Sequence, residues 1–363
     1  MMSDVPDIDL LLADYYNTNN STVDYATLKE QLNNKIFGQS DIIESVVNTI
    51  LISAADIGND EKPQGSFLFT GPTGTGKTEL AKELAKQLKK DFIRLDMSEY
   101  ADEYSARNLT GGQKGLVGYE DGGLLTNEVK EKPNSVILFD EIEKADPAVY
   151  KVFLQILDYA TLTDTQGQEV DFSKTVIIMT SNLGVQTTRE NRVGFKNEVD
   201  DDSLNYKAIV DFFTPEMRAR IDKILYFNPI TDEIIHNIIE KFLKEFEYEL
   251  EKKHIDLTVT ENAREKLHDI WGESEQEGAR TISKIINNHF KQHIAKEILF
   301  GHLMDGGNIE IDVKDDEFIY NYPHVYFQTS QEACQYAREN VGAIITLAED
   351  GIGYILKGYE EIQ

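Results

Sequence analysis

The sequence has few cysteines, a deficit of basic residues and no long apolar run. Its one cysteine, Cys334, excludes a disulfide within the chain and suits a reducing compartment. Lysine and arginine number 36 against 65 acidic residues, so the formal net charge is −29, which repels a phosphate backbone and disfavours non-specific nucleic-acid binding. No run of about 18 apolar residues is present to span a membrane, and the N-terminus lacks the basic segment of a signal peptide. We therefore expect a cytoplasmic protein that binds neither nucleic acid nor membranes.

The most informative stretch is rich in glycine. Residues 71–78 read GPTGTGKT, with Gly71, Gly76, Lys77 and Thr78 in the fixed places of the pattern G-x-x-x-x-G-K-[ST], known as Walker A. The apolar run SFLFT before it predicts a strand, and leucines four residues apart after it predict an amphipathic helix. The N–H groups of such a loop, together with the helix N-terminus, bind phosphate. A glycine-rich turn without a ligand is the alternative, which the flanking strand and helix disfavour.

This loop predicts a site for ATP and Mg²⁺. Lys77 is expected to reach the β- and γ-phosphates, and the hydroxyl of Thr78 is expected to take one Mg²⁺ position. The other loop residues predicted to contact ATP are Pro72, Thr73, Gly74 and Thr75.

A second element of phosphate chemistry is the segment SVILFDE at residues 135–141, which has the form of a Walker B strand. A buried parallel strand would place Asp140 at the carboxyl edge of its sheet, where ligands bind in such folds. Asp140 is then predicted to hold Mg²⁺, directly or through water, and Glu141 to polarise the attacking water. Two solvated acids at a strand end are the alternative in a chain this acidic.

The order of the patterns predicts an α/β fold with several parts. Apolar runs alternate with helical patterns over residues 32–227 and predict a large domain with a parallel sheet flanked by helices. Long helical stretches over 228–314 predict a smaller, mostly helical domain. Residues 1–31 are expected to be an acidic extension of low order, and 315–363 a short α+β appendage with a helix opening at Thr329 and a terminal hairpin.

The order of seven motifs resembles the AAA+ module of the Clp unfoldases. The motifs are GPTGTGKTELAKELA, DMSEYADEYSARNLTG, GLVGYEDGGLLTNEV, VILFDEIEKADPAV, LTDTQGQEVDFSKTVIIMTSNLG, FTPEMRARIDKI and GARTISKII. The likeness is nearest to the second, peptidase-proximal module of ClpA and covers roughly residues 32–314. It implies a P-loop AAA+ large domain with a small lid domain, and a homo-hexamer with ATP at the subunit boundaries.

The resemblance also implies roles for residues around the nucleotide. Ile36, Phe37 and Gly38 match the segment that lines the adenine, although the two apolar residues alone are equally typical of a core. Asn182 matches sensor 1, which holds the attacking water or the γ-phosphate, and a turn asparagine is the alternative.

Three arginines are assigned by the same resemblance. Arg220 matches the arginine finger that enters the neighbouring subunit's site and stabilises charge on the transferred phosphoryl group; a surface ion pair is the alternative. Arg218 is a weaker candidate for the same role. Arg280 matches sensor 2, which reaches back to the γ-phosphate from the small domain.

A loop at residues 115–118 matches the family's pore loop, which grips the threaded chain. Family members usually carry a tyrosine where this sequence has Leu116, between Gly115 and Val117, before Gly118. Leucine is smaller but apolar, so Leu116 and Val117 are expected to pull substrate with a weaker grip. Tyr119, three residues further on, is a candidate to replace the missing aromatic ring. A pore lining that no longer grips is the alternative.

A polar loop carries the isolated apolar tripeptide Val193, Gly194 and Phe195. Such a tripeptide usually folds back to anchor its own loop. In ClpA and its relatives, however, a tripeptide of this type docks into pockets of the ClpP peptidase ring, so the resemblance implies docking with Phe195 as the anchor.

Taken together, the sequence predicts an ATPase that threads unfolded or tagged proteins through a central pore, delivers them to a ClpP-type peptidase and has no peptidase motif of its own. A remodelling or disaggregating chaperone that works without a peptidase is the main alternative. A nucleic-acid motor is disfavoured by the net charge, and an inactive scaffold by the presence of Glu141 and Arg220.

Overall fold

A computed structural model of the chain describes residues 23–59, 61–111, 122–183, 201–273, 278–304, 306–322, 326–327, 344–347 and 354–357. The chain divides into two compact units, and the boundary between them along the chain lies between Pro229 and Ile230. None of the helices in these ranges combines the length and the apolar character needed to cross a bilayer.

The first unit is built on a parallel sheet of five strands. The strands of this unit are β1 (Gly65–Thr70), β2 (Asp91–Asp96), β3 (Ser135–Asp140), β4 (Thr161–Thr163), β5 (Glu169–Asp171), β6 (Val176–Ser181) and β7 (Lys223–Tyr226). The sheet has the order β2-β3-β6-β1-β7, and every neighbouring pair in it is parallel. Strands β4 and β5 form a separate antiparallel hairpin. The five strands coincide with the apolar runs SFLFT, FIRLD, SVILFD, TVIIMTSN and KILYF, whose alternation with helical patterns predicts a parallel sheet. The structure therefore confirms the α/β prediction.

Helices cover the sheet, since its central strands are buried on both faces. The helices of the unit are α1 (Leu28–Asn33), α2 (Ser40–Ala54), α3 (Lys77–Gln87), α4 (Glu103–Arg107), α5 (Leu124–Glu131), α6 (Pro147–Tyr159), α7 (Asp201–Phe212) and α8 (Pro215–Arg218). Side chains alternate along each strand, so Phe67 and Phe69 pack with α1, α2 and α3 on one face. Phe139 packs on the other face against Phe153 of α6, with ring centroids 4.6 Å apart. These rigid strands fix the positions of the residues at their ends.

Helix α1 begins inside the stretch where the sequence predicted low order. Leu28 and Leu32 lie four residues apart on it and are both fully buried beside α2 and α3. Residues 28–31, which the sequence assigned to an extension of low order, therefore belong to a helix of the first unit.

The second unit combines helices with a small sheet. Its elements are α9 (Asp232–Glu251), β8 (Ile255–Val259), α10 (Glu261–Glu273), α11 (Arg280–Ile285), a π-helical turn (Ile286–Lys291), α12 (Gln292–Phe300), β9 (Gly307–Lys314) and β10 (Glu317–Asn321). Strand β9 pairs with β8 in parallel and with β10 in antiparallel. The β9–β10 hairpin crosses residue 314, where the sequence placed the end of the small domain.

Three short strands follow in the C-terminal part, β11 (Tyr326–Phe327), β12 (Ile344–Leu347) and β13 (Tyr354–Lys357). β12 and β13 pair in antiparallel, as the predicted terminal hairpin requires, and β11 pairs with the other edge of β13. The helix predicted to open at Thr329 lies outside the described residues.

Candidate active site

The strand order brings the predicted phosphate-chemistry residues to one edge of the sheet. Strand β6 lies between β1 and β3, so three chain segments leave the sheet side by side. Gly71 follows β1, Asp140 ends β3 and Asn182 follows β6. Because parallel strands end at the same edge, the glycine-rich loop, the acidic pair and the asparagine predicted to be sensor 1 meet at one place.

The loop from Gly71 to Gly76 has the backbone shape that its glycines allow. Gly71, Gly74 and Gly76 have φ angles of 134°, 79° and 100°. Residues with a Cβ atom rarely adopt such positive angles. A Cβ atom on Gly71 would lie 2.7 Å from the carbonyl oxygen of Phe227. Thr75 donates its hydroxyl hydrogen to Pro72 O at 2.9 Å and closes the loop on itself. Helix α3 begins at Lys77, so its N-terminus faces the loop.

Lys77 connects this loop to the sensor asparagine. Its buried ammonium donates to Gly71 O at 2.6 Å, to Pro72 O at 2.8 Å and to Asn182 Oδ1 at 3.0 Å. A phosphate in the loop would be a charged acceptor for this ammonium, and a hydrogen bond to a charged acceptor is stronger than one to these neutral oxygens. The loop, the helix N-terminus and Lys77 together fit the phosphates of a nucleoside triphosphate.

Replacing Gly71 by alanine is expected to weaken nucleotide binding at least about tenfold and to destabilise the unit by about 1–3 kcal/mol, because the new Cβ overlaps the Phe227 backbone. Titration with a fluorescent ATP analogue and chemical denaturation measure the two effects. Gly167→Ala is the matched control, since Gly167 also has a positive φ angle, 82°, but no heavy atom beyond its two chain neighbours lies within 4 Å of its Cβ position. Equal behaviour of the two variants would contradict the close approach at Gly71.

The acidic pair after β3 is held by a dense set of partners. Asp140 is buried, and its Oδ2 accepts from Arg94 Nε at 3.0 Å and from Arg94 Nη2 at 2.7 Å. Its Oδ1 accepts the hydroxyl hydrogen of Thr180 and keeps a further lone pair for another ligand. Glu141 is half-buried and forms an ion pair with Lys144, and Asn182 Nδ2 lies 3.4 Å from Glu141 Oε1. The carboxylate predicted to be catalytic, the amide predicted to be a sensor and the predicted metal ligand thus lie in one hydrogen-bonded cluster.

Lys144 gives this cluster a second cation beside Arg94. Its hydrogen bond to Glu141 and the charge of that carboxylate raise the pKa of the Lys144 ammonium above its usual value. The side chain of Lys144 is exposed to solvent, so the ion pair leaves Glu141 free to exchange partners at small cost.

Sequence reasoning missed several members of this cluster. Arg94 lies between two buried apolar residues of the edge strand β2, so it fits the usual alternation of a strand and the sequence does not single it out. Thr180 lies two residues before Asn182, so the period of a strand places both side chains on the same face. Glu143 accepts the backbone N–H of Asn182 at 3.0 Å, and no pattern in the sequence distinguishes it from the other acids of this chain.

The segment predicted to line the adenine lies next to the loop. Ile36 is buried, and its Cγ2 atom lies 3.7 Å from the Cβ position of Gly76. Phe37 is half-buried and Gly38, with φ 75°, is exposed. The side chain of Gln39 donates to Asn228 O at 2.9 Å and accepts from Asn228 N at 3.0 Å, so it anchors this segment to the end of β7.

The predicted arginine finger is paired within its own chain. Arg220 Nε lies 2.6 Å from Asp158 Oδ1, an ion pair in which the N–H is not aligned on the oxygen. Its Nη1 donates to Glu216 O at 2.8 Å, and Nη2 lies 3.2 Å from Glu216 Oε1. The contact with Asp158 raises the pKa of the guanidinium above its ordinary value. Arg218 Nε donates to Phe213 O at 3.2 Å instead.

The remaining predicted site residues either lie outside the hydrogen-bonded cluster or fall outside the described residues. Thr78 is half-buried in the first turn of α3. Arg280 is exposed at the start of α11 in the second unit. The predicted pore loop at residues 115–118 and the predicted docking tripeptide at 193–195 lie outside the described residues.

A parallel sheet with a glycine-rich loop between its strand β1 and helix α3, and with an acidic pair ending a neighbouring strand, is a P-loop nucleotide-binding fold. Residues 62–224 match the family model described as AAA domain (Cdc48 subfamily), and residues 230–311 match that of the C-terminal, D2-small domain of ClpB protein.

Curated relatives are similar over most of this chain. The chaperone protein ClpB of Clostridium tetani is 44% identical over 298 residues, which are 80% of this chain and 34% of that protein. The ClpA homolog protein of Fuscovulum blasticum is 40% identical over 80% of this chain and 37% of its own length. The ATP-dependent Clp protease ATP-binding subunit ClpC of Staphylococcus aureus is 37% identical over 81% of this chain and 37% of its own.

The chain belongs to the Clp family of AAA+ proteins, a family of ATPases. This confirms the resemblance drawn from the seven motifs. The chain spans about a third of the length of the curated relatives it matches.

Proposed function

We propose that the chain is a Mg²⁺-dependent ATPase that uses ATP hydrolysis to unfold and thread proteins through a ring. One observation carries the ATPase part: Lys77, Asn182 and Glu141 form a continuous set of contacts at the edge where β1, β3 and β6 end. That set joins a phosphate-binding loop to a carboxylate able to polarise water.

The residues of the cluster divide into binding and hydrolytic roles. The loop of residues 71–76 would hold the phosphates through its N–H groups, and Lys77 would contact the β- and γ-phosphates. Thr78 and Asp140 would hold Mg²⁺, which when bound neutralises charge on the phosphate oxygens. Glu141 would orient the attacking water, with Asn182 holding its carboxylate.

The ring part of the proposal rests on the family and on Arg220. An arginine finger acts across a subunit boundary, and the Clp resemblance implies a homo-hexamer with ATP at those boundaries. Arg280 of the second unit would act as sensor 2 and couple hydrolysis to motion of the small domain. The ion pairs of Arg220 with Asp158 and Glu216 would then hold the finger ready on its own subunit.

Pore loop residues Gly115, Leu116, Val117 and Gly118 would pull unfolded or tagged substrates, with Leu116 in place of the usual tyrosine. The relatives' names support two possible fates for the threaded protein. One relative is the ATP-binding subunit of a Clp protease, and another is a ClpB chaperone. The tripeptide 193–195 favours a ClpP-type peptidase as the partner, because the resemblance to ClpA implies that a tripeptide of this type in this loop docks into pockets of the peptidase ring.

Phe195→Ala is expected to abolish degradation of a tagged folded protein by ClpP plus this chain, because the anchor of each docking loop is lost, while ATP hydrolysis stays within about twofold of wild type. Degradation is followed by the fluorescence of the substrate. Phe300→Ala is the matched control, since Phe300 is 81% exposed at the end of α12 and lies far from residue 195 in sequence. Peptidase-independent unfolding by the wild type, with no degradation, would instead favour the remodelling chaperone.

A further inference from the structure

The hydroxyl of Thr180 lies between the two carboxylate residues of the candidate active site. It accepts the backbone N–H of Glu141 at 3.0 Å and donates its own hydrogen to Asp140 Oδ1. Thr180 is 1% exposed, near the end of β6. We propose that Thr180 is a positioning residue for ATP hydrolysis, which holds Glu141 in its working conformation. This rests on the proposed function of the site.

The strand register explains why this contact forms. Strands β3 and β6 are paired up to Phe139 and Met179, so the next residue of each strand, Asp140 and Thr180, are also neighbours. β3 ends at Asp140, and the chain turns away at Glu141. A hydroxyl on β6 at this position can accept from the departing backbone and donate to the last carboxylate of the strand, which no apolar side chain of the same shape can do.

The backbone of Glu141 needs such a support. Its φ and ψ angles of 57° and 53° lie in the left-handed region, which a residue with a Cβ atom adopts only when its surroundings over-determine it. The N–H bond to Thr180 fixes the residue at its backbone, and Asn182, the residue that follows β6, approaches its carboxylate at 3.4 Å. The end of β6 and the residue after it therefore hold Glu141 at two points, the backbone N–H and the carboxylate.

Thr180→Val tests this role because valine keeps the shape and removes the hydroxyl. We expect kcat for ATP to fall by about 10- to 100-fold, as for other losses of a supporting hydrogen bond or of about an ångström of positioning, while KM changes less than about threefold. Thr180→Ser restores the hydroxyl and is expected to keep kcat within about threefold of wild type. Thr175→Val is the matched control: Thr175 is 0% exposed just before the other end of the same strand and donates to Phe172 O at 2.7 Å.

A purely structural role would give a different pattern. In that case Thr180→Val and Thr175→Val would lose stability and activity alike, or Thr180→Ser would fail to recover kcat, and either result would overturn the proposal. So would a loss confined to KM. If Thr180→Val does not fold, Thr180→Ser is compared with Thr180→Cys instead. We expect kcat to be at least about tenfold lower in the cysteine variant, because a thiol is a weak donor and acceptor.

A crystal structure of the Thr180→Val chain separates this proposal from the proposed function. The expected result is a Glu141 backbone that has left the left-handed region, and an unchanged Glu141 would contradict the positioning role whatever the activity. If wild type and Glu141→Gln turn over ATP equally, the hydrolytic assignment of Glu141 fails instead, and the crystallographic result on Thr180 stands by itself.

Discussion

Replacing Glu141 by glutamine is expected to lower ATP turnover at least about a hundredfold while nucleotide affinity stays within about threefold. Glutamine keeps the size of the side chain but cannot take up charge from a polarised water. The groups predicted to bind phosphate, in the loop of residues 71–76 and on Lys77, are unchanged in this variant. Steady-state phosphate release measures the turnover, and a fluorescent ATP analogue measures the affinity.

The control for this variant is Glu131→Gln. Glu131 is an exposed glutamate that lies just before β3, at the end of the strand opposite Glu141. It carries the same loss of one negative charge without entering the cluster. Turnover in Glu141→Gln that matches Glu131→Gln would contradict the role assigned to Glu141, and a loss of nucleotide affinity in place of turnover would make Glu141 a binding residue.

Replacing Arg220 by alanine is expected to lower turnover by about a thousandfold, because in the proposed ring the site of the neighbouring subunit would lose the cation that stabilises its transition state. The ion pairs with Asp158 and Glu216 allow a second role, in which Arg220 only stabilises its own chain. That role predicts a lower melting temperature with turnover retained below it. Arg107→Ala is the control, since Arg107 forms an exposed ion pair with Glu103 on α4.

Mixing two inactive variants tests whether Arg220 acts across a boundary. In a mixed ring, an Arg220→Ala subunit has an intact Glu141 and receives the finger of a Glu141→Gln neighbour. We expect the mixture to regain ATP turnover that neither variant shows alone, with a dependence on mixing ratio that peaks between the pure species. A mixture that stays inactive although both variants co-assemble would place Arg220 in its own subunit's site or remove it from catalysis.

The sheet was predictable because its three central strands, β1, β3 and β6, are short apolar runs that are buried on both faces, and such burial leaves few polar interruptions. The helices α9 and α12 were predictable from the spacing of their apolar residues, because a helix that buries one face repeats those residues every three or four positions. The hairpin of β9 and β10 was missed. Its two-residue loop is Asp315–Asp316, with both φ angles positive at 52° and 68°, where an asparagine–glycine pair is the usual sequence mark.

In the candidate site, the residues with a fixed spacing were predictable and their partners were not. Gly71 and Lys77 stand in a pattern that phosphate binding imposes on one stretch of chain. Arg94 and Thr180 instead reach Asp140 from two other strands, and that contact depends on the strand order, which one sequence does not encode locally. Such partners have ordinary sequence contexts and take their role only from the fold.

The most direct test of the central claim is ATP-dependent loss of fluorescence from a folded fluorescent protein with an unstructured terminal extension, in the presence of a trap for unfolded chains. The full chain and its Glu141→Gln variant are compared without any peptidase. We predict that the wild type unfolds the substrate only with ATP and Mg²⁺, and that Glu141→Gln leaves it fluorescent. Full ATP turnover by the wild type with the substrate still fluorescent would contradict a function in protein unfolding.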